Sequence, residues 1–192
     1  VVSQGCRPVG EPFIVTKAER NIVLELGGKP ALQRVQEVYN TAAPEDKRLL
    51  ENGLHLGVAM TELRDSFGRG DFLVSNVLGA DRQSGAIAIG QMIRVGQTVQ
   101  FHVRDAASAD QDLAQRLAQA AGHAADHERG ALLFSCNGRG TRMFPVSDHD
   151  AAAIQTALGP LPVAGMFAAG EIGPVGSENF LHGFTASIAV FG

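Results

Sequence analysis

The chain has 192 residues, 45% of them apolar and 19% charged, and its 16 basic against 20 acidic side chains leave a net charge of −4. That mixture excludes a disordered, collagenous or coiled-coil chain. A weakly acidic chain without a basic run also lacks the electrostatic footprint of a nucleic-acid binder. No stretch approaches the roughly 20 apolar residues of a membrane span, so neither nucleic acid nor membrane is expected as a partner. Two cysteines, Cys6 and Cys136, exclude a disulfide framework and a four-cysteine zinc site. With no signal peptide or lipidation motif, they point to a cytoplasmic protein.

Val1 to Cys6 reads as a strand without its beginning, so the chain is expected to be the C-terminal part of a longer protein. Phe13-Ile14-Val15 and Ile22–Leu26 flank polar Lys17–Asn21 and predict a hairpin. Pro30 suits the first turn of a helix carrying Leu32, Val35 and Val38 at helical spacing. A second helix opens at Pro44, with Glu45 and Asp46 at its positive end. Strands follow at Leu54–Met60, Phe72–Leu78, Ala86–Ile89 and Thr98–Val103. In the last, Val99, Phe101 and Val103 face one side and Gln100, His102 and Arg104 the other, polar side. Asn76 is a polar residue in an apolar strand, a core amide or a pocket group.

The second half changes character. Ser108-Ala109-Asp110-Gln111 is a capping box, and Leu113 and Leu117 share a face of the helix it opens. Ala131–Cys136 is a short apolar strand, and Ser147–Asp150 caps a helix that Gly159-Pro160 ends. Val163–Ala168 is a further strand, and Phe184, Ala186, Ile188 and Val190 alternate in a final one. The fold class is α+β: mixed sheets with antiparallel hairpins and flanking helices, two sub-lobes, and one strand–helix–strand crossover in the second half. That crossover predicts parallel, right-handed strands at 131–136 and 163–168, both central and covered on both faces. Ligands favour the carboxyl ends of such strands.

Two loops at those ends carry candidate chemistry. In Cys136-Asn137-Gly138-Arg139-Gly140 the glycines free the backbone to turn amides toward an anion, and Arg139 offers a fork for a carboxylate. In Gly170-Glu171-Ile172-Gly173-Pro174 one carboxylate stands in an apolar stretch. Burying it alone is costly, so Glu171 needs a partner: Arg139, a set of backbone amides, or a ligand amine. His182, predicted in a loop just beyond, is the histidine placed to approach them. The ligand-binding set is therefore Cys136, Asn137, Gly138, Arg139, Gly140, Gly170, Glu171, Gly173 and His182. The leading reading is a non-enzymatic small-molecule sensor, with Arg139 holding a ligand carboxylate and Glu171 its ammonium. The alternative is an enzyme with Cys136 as nucleophile, His182 as base and oxyanion donors from Gly138–Gly140. No catalytic set is assigned. The His123/His127 pair reads as an exposed helix end and not a metal site, so no metal is assigned either.

At these residues the chain resembles the C-terminal part of FIST-domain proteins. The matching segments are Ser3–Gly10, Phe72–Gly79, Val95–Phe101, Leu133–Gly140, Phe167–Pro174 and Phe180–Thr185, in that order. The resemblance implies intracellular signal-transduction sensors of small molecules, amino acids among them, working with a signalling partner. It implies an upstream FIST N-terminal domain, of which residues 1–10 are the tail. Residues 11–192 are then the C-terminal domain, with sub-lobes 11–106 and 107–192. The missing domain is expected to leave an apolar patch near residues 1–10 for a domain contact or a homodimer. The residues themselves call for no cofactor. Some bacterial members are proposed to bind haem and respond to nitric oxide, so the resemblance adds haem as an alternative.

Overall fold

In the computed structural model the described residues are 1–62, 66–68, 70–122, 130–175 and 178–192. The chain runs β1 (Val2–Gln4), β2 (Cys6–Glu19), β3 (Ile22–Leu26), β4 (Lys29–Pro30), α1 (Ala31–Thr41), α2 (Pro44–Asn52), β5 (Leu54–Ala59), β6 (Phe72–Asp81), β7 (Ala86–Ile89) and β8 (Thr98–Arg104). It continues with α3 (Ala106–Ala121), β9 (Gly130–Cys136), a 3₁₀ turn at Gly140–Arg142, α4 (His149–Leu158), β10 (Val163–Ala168), β11 (Glu171–Val175), β12 (Glu178–His182) and β13 (Thr185–Phe191). The expected α+β class is what forms. Contacts divide the chain into two compact units, Arg7–Arg104 and Val1–Cys6 with Asp105–Gly192.

In the first unit the strand order is β2-β8-β5-β6-β7-β3-β4, and a further β2–β3 pairing closes six of these strands into a ring. Val15, Val23, Leu26, Leu56, Ile87, Ile89, Val99, Phe101 and Val103 are buried in one core. Thr98–Arg104 alternates as the sequence predicts, but its polar face is not exposed: Gln100 and His102 are buried too. His102 lies edge-on to Phe72 with ring centroids 5.0 Å apart. It fills the place a side chain would take at Gly57, whose Cβ would stand 2.5 Å from the His102 Cε1. Asn76 is exposed, across from buried His55 in the β5–β6 pair. It is therefore not a core amide.

In the second unit a four-stranded sheet runs β1-β13-β9-β10. The predicted crossover is present: β10 pairs parallel to β9, and α4 links them. One face of the sheet packs on α3 and α4 through Leu113, Leu117, Ala131, Ile154, Leu161 and Ile188. Each large aliphatic there stabilises the unit by about 1.5–3 kcal/mol. The other face is only partly covered, so the expectation of strands buried on both faces is corrected. Leu132 and Phe134 project from β9 into the open, and β10 is an edge strand with Met166 and Phe167 exposed. The apolar runs reflect this open side and not a second helical layer.

Four local expectations also change. The N-cap of α3 is Asp105, whose carboxylate accepts from the Ala107 amide at 3.2 Å. Ser108 lies inside the helix and its hydroxyl donates to the Asp105 carboxylate, so the helix starts three residues before the expected cap and the expected capping box is not formed. Asp148 holds the N-cap position of α4 in a left-handed conformation and makes no side-chain cap. The segments 171–175 and 178–182, expected as loops, are strands of one antiparallel hairpin. The expected apolar patch near residues 1–10 is absent, because no large apolar side chain there is exposed. Instead β1 is tied down, with its Gln4 amide donating to the Asp112 carboxylate on α3 at 2.9 Å.

Candidate functional site

The site lies wholly in the second unit, at the carboxyl end of β9. Register sets its parts. Ser3, Ala186, Ser135 and Phe167 lie in one row across the sheet, and Ser135 faces α4. The neighbouring positions Thr185 and Cys136 therefore face the opposite side. The β11–β12 hairpin lies over that side. Gly173 is what allows the approach, since a Cβ there would stand 2.2 Å from the Val2 Cγ2. The Ser187 hydroxyl pins the hairpin by donating to the Ile172 carbonyl at 2.7 Å.

This stacking brings Cys136, Arg139 and Glu171 into one buried cluster. Glu171 is 1% exposed, and its Oε2 accepts from the Thr185 hydroxyl at 2.8 Å and the Thr185 amide at 3.3 Å. Burial raises the carboxyl pKa; the Thr185 bonds, then the Cys136 thiol and the Arg139 charge, oppose the rise without cancelling it. Of the expected partners of Glu171 a backbone amide is present, that of Thr185, and the Thr185 hydroxyl joins it as a partner the sequence did not point to. The Glu171 Oε1 has no hydrogen-bond partner.

Arg139 is 1% exposed and is held from the α4 side. Its Nε and Nη2 donate to the two Asp150 oxygens at 2.8 and 2.7 Å, a bidentate pair, and its guanidinium lies 5.2 Å from the Phe144 ring centre. Burial works to raise the Asp150 pKa, but the bonds and charge of Arg139, with His149 and Ser135, hold it below the usual carboxylate value. The Arg139 Nη1 has no partner. It lies at van der Waals distance from the space a side chain would fill at Gly5, 3.4 Å from that Cβ position.

The remaining predicted residues take other parts. Asn137 is exposed, and its amide donates to the Ala168 carbonyl at 2.8 Å. The Gly138 amide turns back on the Cys136 Sγ at 3.4 Å and the Arg139 amide on the Cys136 carbonyl at 2.8 Å, so the expected cradle of amides for an anion is not formed. Gly140 takes a positive φ of 58° and packs against Phe167. Gly170 packs beneath Leu181. His182 is buried with its Nε2 2.8 Å from the Gly173 carbonyl oxygen, which ties the hairpin's two strands together.

Sequence reasoning missed Asp150, Thr185, Ser135 and His149. Asp150 reads as a helix-start acid, and Thr185 as one residue of an alternating strand. The one signal for Asp150 is that a buried arginine requires an acid. His149 stacks on Phe144 with ring centroids 3.5 Å apart, and its two nitrogens lie 3.1 Å from Asp150 and 3.0 Å from Asp110. A hollow of about 220 Å³ opens between the start of α4 and β10, lined by Ser135, His149, Asp150, Val163 and Phe167 among others. Among the described residues no cluster of His, Cys, Asp and Glu could hold a metal ion, and no helix is long and apolar enough to cross a membrane. The His123/His127 pair lies outside the described residues.

The FIST C domain model matches residues 31–174, and the FIST N domain model matches residues 1–29. An uncharacterized protein of Mycobacterium tuberculosis is 54% identical over 191 residues, covering 100% of this chain and 50% of the relative. An uncharacterized protein of Mycobacterium bovis is 51% identical over 191 residues, with the same coverage of 100% and 50%. The chain spans about half the length of these curated relatives. FIST domains are associated with sensing in signal transduction. With three quarters of its length matched by that model, the chain belongs to the FIST C domain family.

Proposed function

We propose that the chain is a small-molecule sensing module whose ligand site is the cluster of Cys136, Arg139 and Glu171, and that the ligand is a small zwitterion such as an α-amino acid. One observation carries the reading: Arg139 and Glu171, each 1% exposed, each keep one polar atom without a partner, Nη1 and Oε1. An orphaned buried donor or acceptor costs about 1–3 kcal/mol. A ligand carboxylate would accept from the Arg139 Nη1, and a ligand ammonium would donate to the Glu171 Oε1. The β11–β12 hairpin would be the element that moves, because it covers the site. Its outer residues Ile172 and Leu181 are exposed, so little holds it from outside.

Thermal shift against a panel of amino acids and their decarboxylated and deaminated analogues tests this. A true ligand at 100 times its dissociation constant adds about 2.7 kcal/mol of stability. Loss of either headgroup from the ligand, or Glu171→Gln or Arg139→Met in the protein, should remove most of that gain. Because burial raises the Glu171 pKa, the ammonium must meet a carboxylate that protonates early. Affinity should therefore weaken as pH falls toward and below that raised pKa. Binding that survives both substitutions unchanged would refute the site.

Haem does not fit the described histidines. His55 and His102 are packed in the first unit's core, His149 is stacked between Phe144 and two aspartates, and His182 is turned onto a backbone carbonyl. Among the described histidines none is left open as an axial ligand.

A further inference from the structure

We propose that β10 is a dimerisation edge, on which a second copy of this chain adds its own β10 antiparallel to make an eight-stranded sheet. Sheet edges carry unpaired backbone amides and carbonyls, and monomeric proteins usually blunt them with charges, proline, bulges or a covering loop. Among the described residues β10 has none of these devices. Its six residues, Val163-Ala164-Gly165-Met166-Phe167-Ala168, are uncharged, and it pairs in unbroken register with β9 on one side. Among the described residues no strand pairs with its other side. Met166 is 61% and Phe167 60% exposed.

The strand's own sequence argues for a second copy over another partner. A two-fold axis perpendicular to the sheet keeps both copies' helices on one side and lets identical strands pair antiparallel. Centred on Gly165, it sets Met166 opposite the second copy's Ala164, and Phe167 opposite the second copy's Val163. Each large side chain then meets a smaller one on the same face, twice over, and no like charges face each other. The position of Gly165 is fixed from the β9 side: a Cβ there would stand 1.9 Å from the Leu133 carbonyl oxygen, so the strand's centre tolerates no side chain. On the helix face, Val163 and Phe167 border the hollow of about 220 Å³ beside α4. The pairing therefore brings the hollows of the two copies side by side. An interface built from one strand edge is of the small, transient class.

Sedimentation equilibrium reads the result. At roughly 100 µM, in the range where such interfaces assemble, the chain should approach twice its mass of 20.2 kDa. Ala164 and Met166 are both exposed, so charges there leave the fold intact, which far-UV circular dichroism checks. The double variant Ala164→Lys/Met166→Lys places like charges opposite in both pairs and should return the monomer mass. The variant Ala164→Glu/Met166→Lys places opposite charges in the same two pairs and should restore the dimer. A monomer at all concentrations overturns the proposal. So does a dimer indifferent to the like-charge variant, or one lost in both variants, since only the register centred on Gly165 distinguishes them.

Discussion

The two buried histidines of the first unit make its stability depend on pH in a direction that can be worked out. His55 and His102 are paired across β5 and β8 and are 3% and 2% exposed. Burial, then the Arg104 charge, lowers the His55 pKa from 6.5 to about 4, against bonds that favour its charged form. Burial lowers His102 from 6.5 to about 4 as well, opposed by the Gln100 carbonyl 3.0 Å from its Nδ1 and assisted by the neighbouring His55. In the unfolded chain both rings take up a proton near pH 6.5, while in the folded chain they resist until about 4. Their contribution is therefore fully present above 6.5 and lost as pH falls through that window. One pKa unit is worth about 1.4 kcal/mol, so each ring can cost up to about 3 kcal/mol, and about 2 kcal/mol of that is gone by pH 5. The two together, about 4 kcal/mol at pH 5, are a large share of the 5–15 kcal/mol that typically holds a domain.

Urea unfolding at pH 7.5 and pH 5.0, followed by far-UV circular dichroism because the chain has no Trp, measures the loss directly. His55→Gln keeps a polar side chain and removes one titrating ring. It should cost stability at pH 7.5 yet shrink the difference between the two pH values by about half. Equal losses in the wild type and the variant would refute the reasoning, because the acid sensitivity would then belong to other groups.

The Arg139–Asp150 pair should respond asymmetrically: Asp150→Ala leaves a buried guanidinium uncompensated and should cost about 3–5 kcal/mol, whereas Arg139→Met/Asp150→Leu should recover most of it. Chemical denaturation of the three proteins checks this, and a double variant no better than Asp150→Ala would contradict it. Gly173→Ala should push the hairpin off Val2, costing about 1–3 kcal/mol by overpacking. Hydrogen exchange should then quicken across β11 and β12 before it changes in α3, and uniform exchange would contradict the lid-like role of the hairpin.

The β9–α4–β10 crossover was legible because its signals are local: a short apolar run, acids and a serine at a helix start, Gly159-Pro160 at its end, and a second apolar run. What covers each face of those strands was not, because an apolar run looks the same in a central strand and in an open edge. The segments of β11 and β12 read as loops in the sequence for a related reason. Gly170, Gly173 and Pro174 are loop residues by local preference, yet Gly173 is there so that one hairpin can lie directly on Val2, a contact 171 positions away in the chain. Likewise, alternation in β8 correctly sorted His102 from Phe101, but only the space left at Gly57 turns that polar face into a second core.

The candidate site shows the same division more sharply. Chemistry alone demanded a partner for any buried Glu171, and convergence of the two loop regions followed from the parallel crossover. The identity of the partners followed from neither. Asp150 takes Arg139 because α4 enters the sheet beside β9, and an acid at the start of a helix is common enough to hide that second role. With Asp150 occupying two of the guanidinium's three nitrogens, the Nη1 is the part of Arg139 left for a ligand. The same Asp150 lines the hollow beside β10. A ligand that drew Arg139 toward Glu171 would therefore loosen Asp150 on the other side of the sheet, next to the edge that pairs in the proposed dimer. A change in self-association on adding the ligand, abolished by Arg139→Met but not by a substitution at exposed Asn137, is the coupling this arrangement predicts.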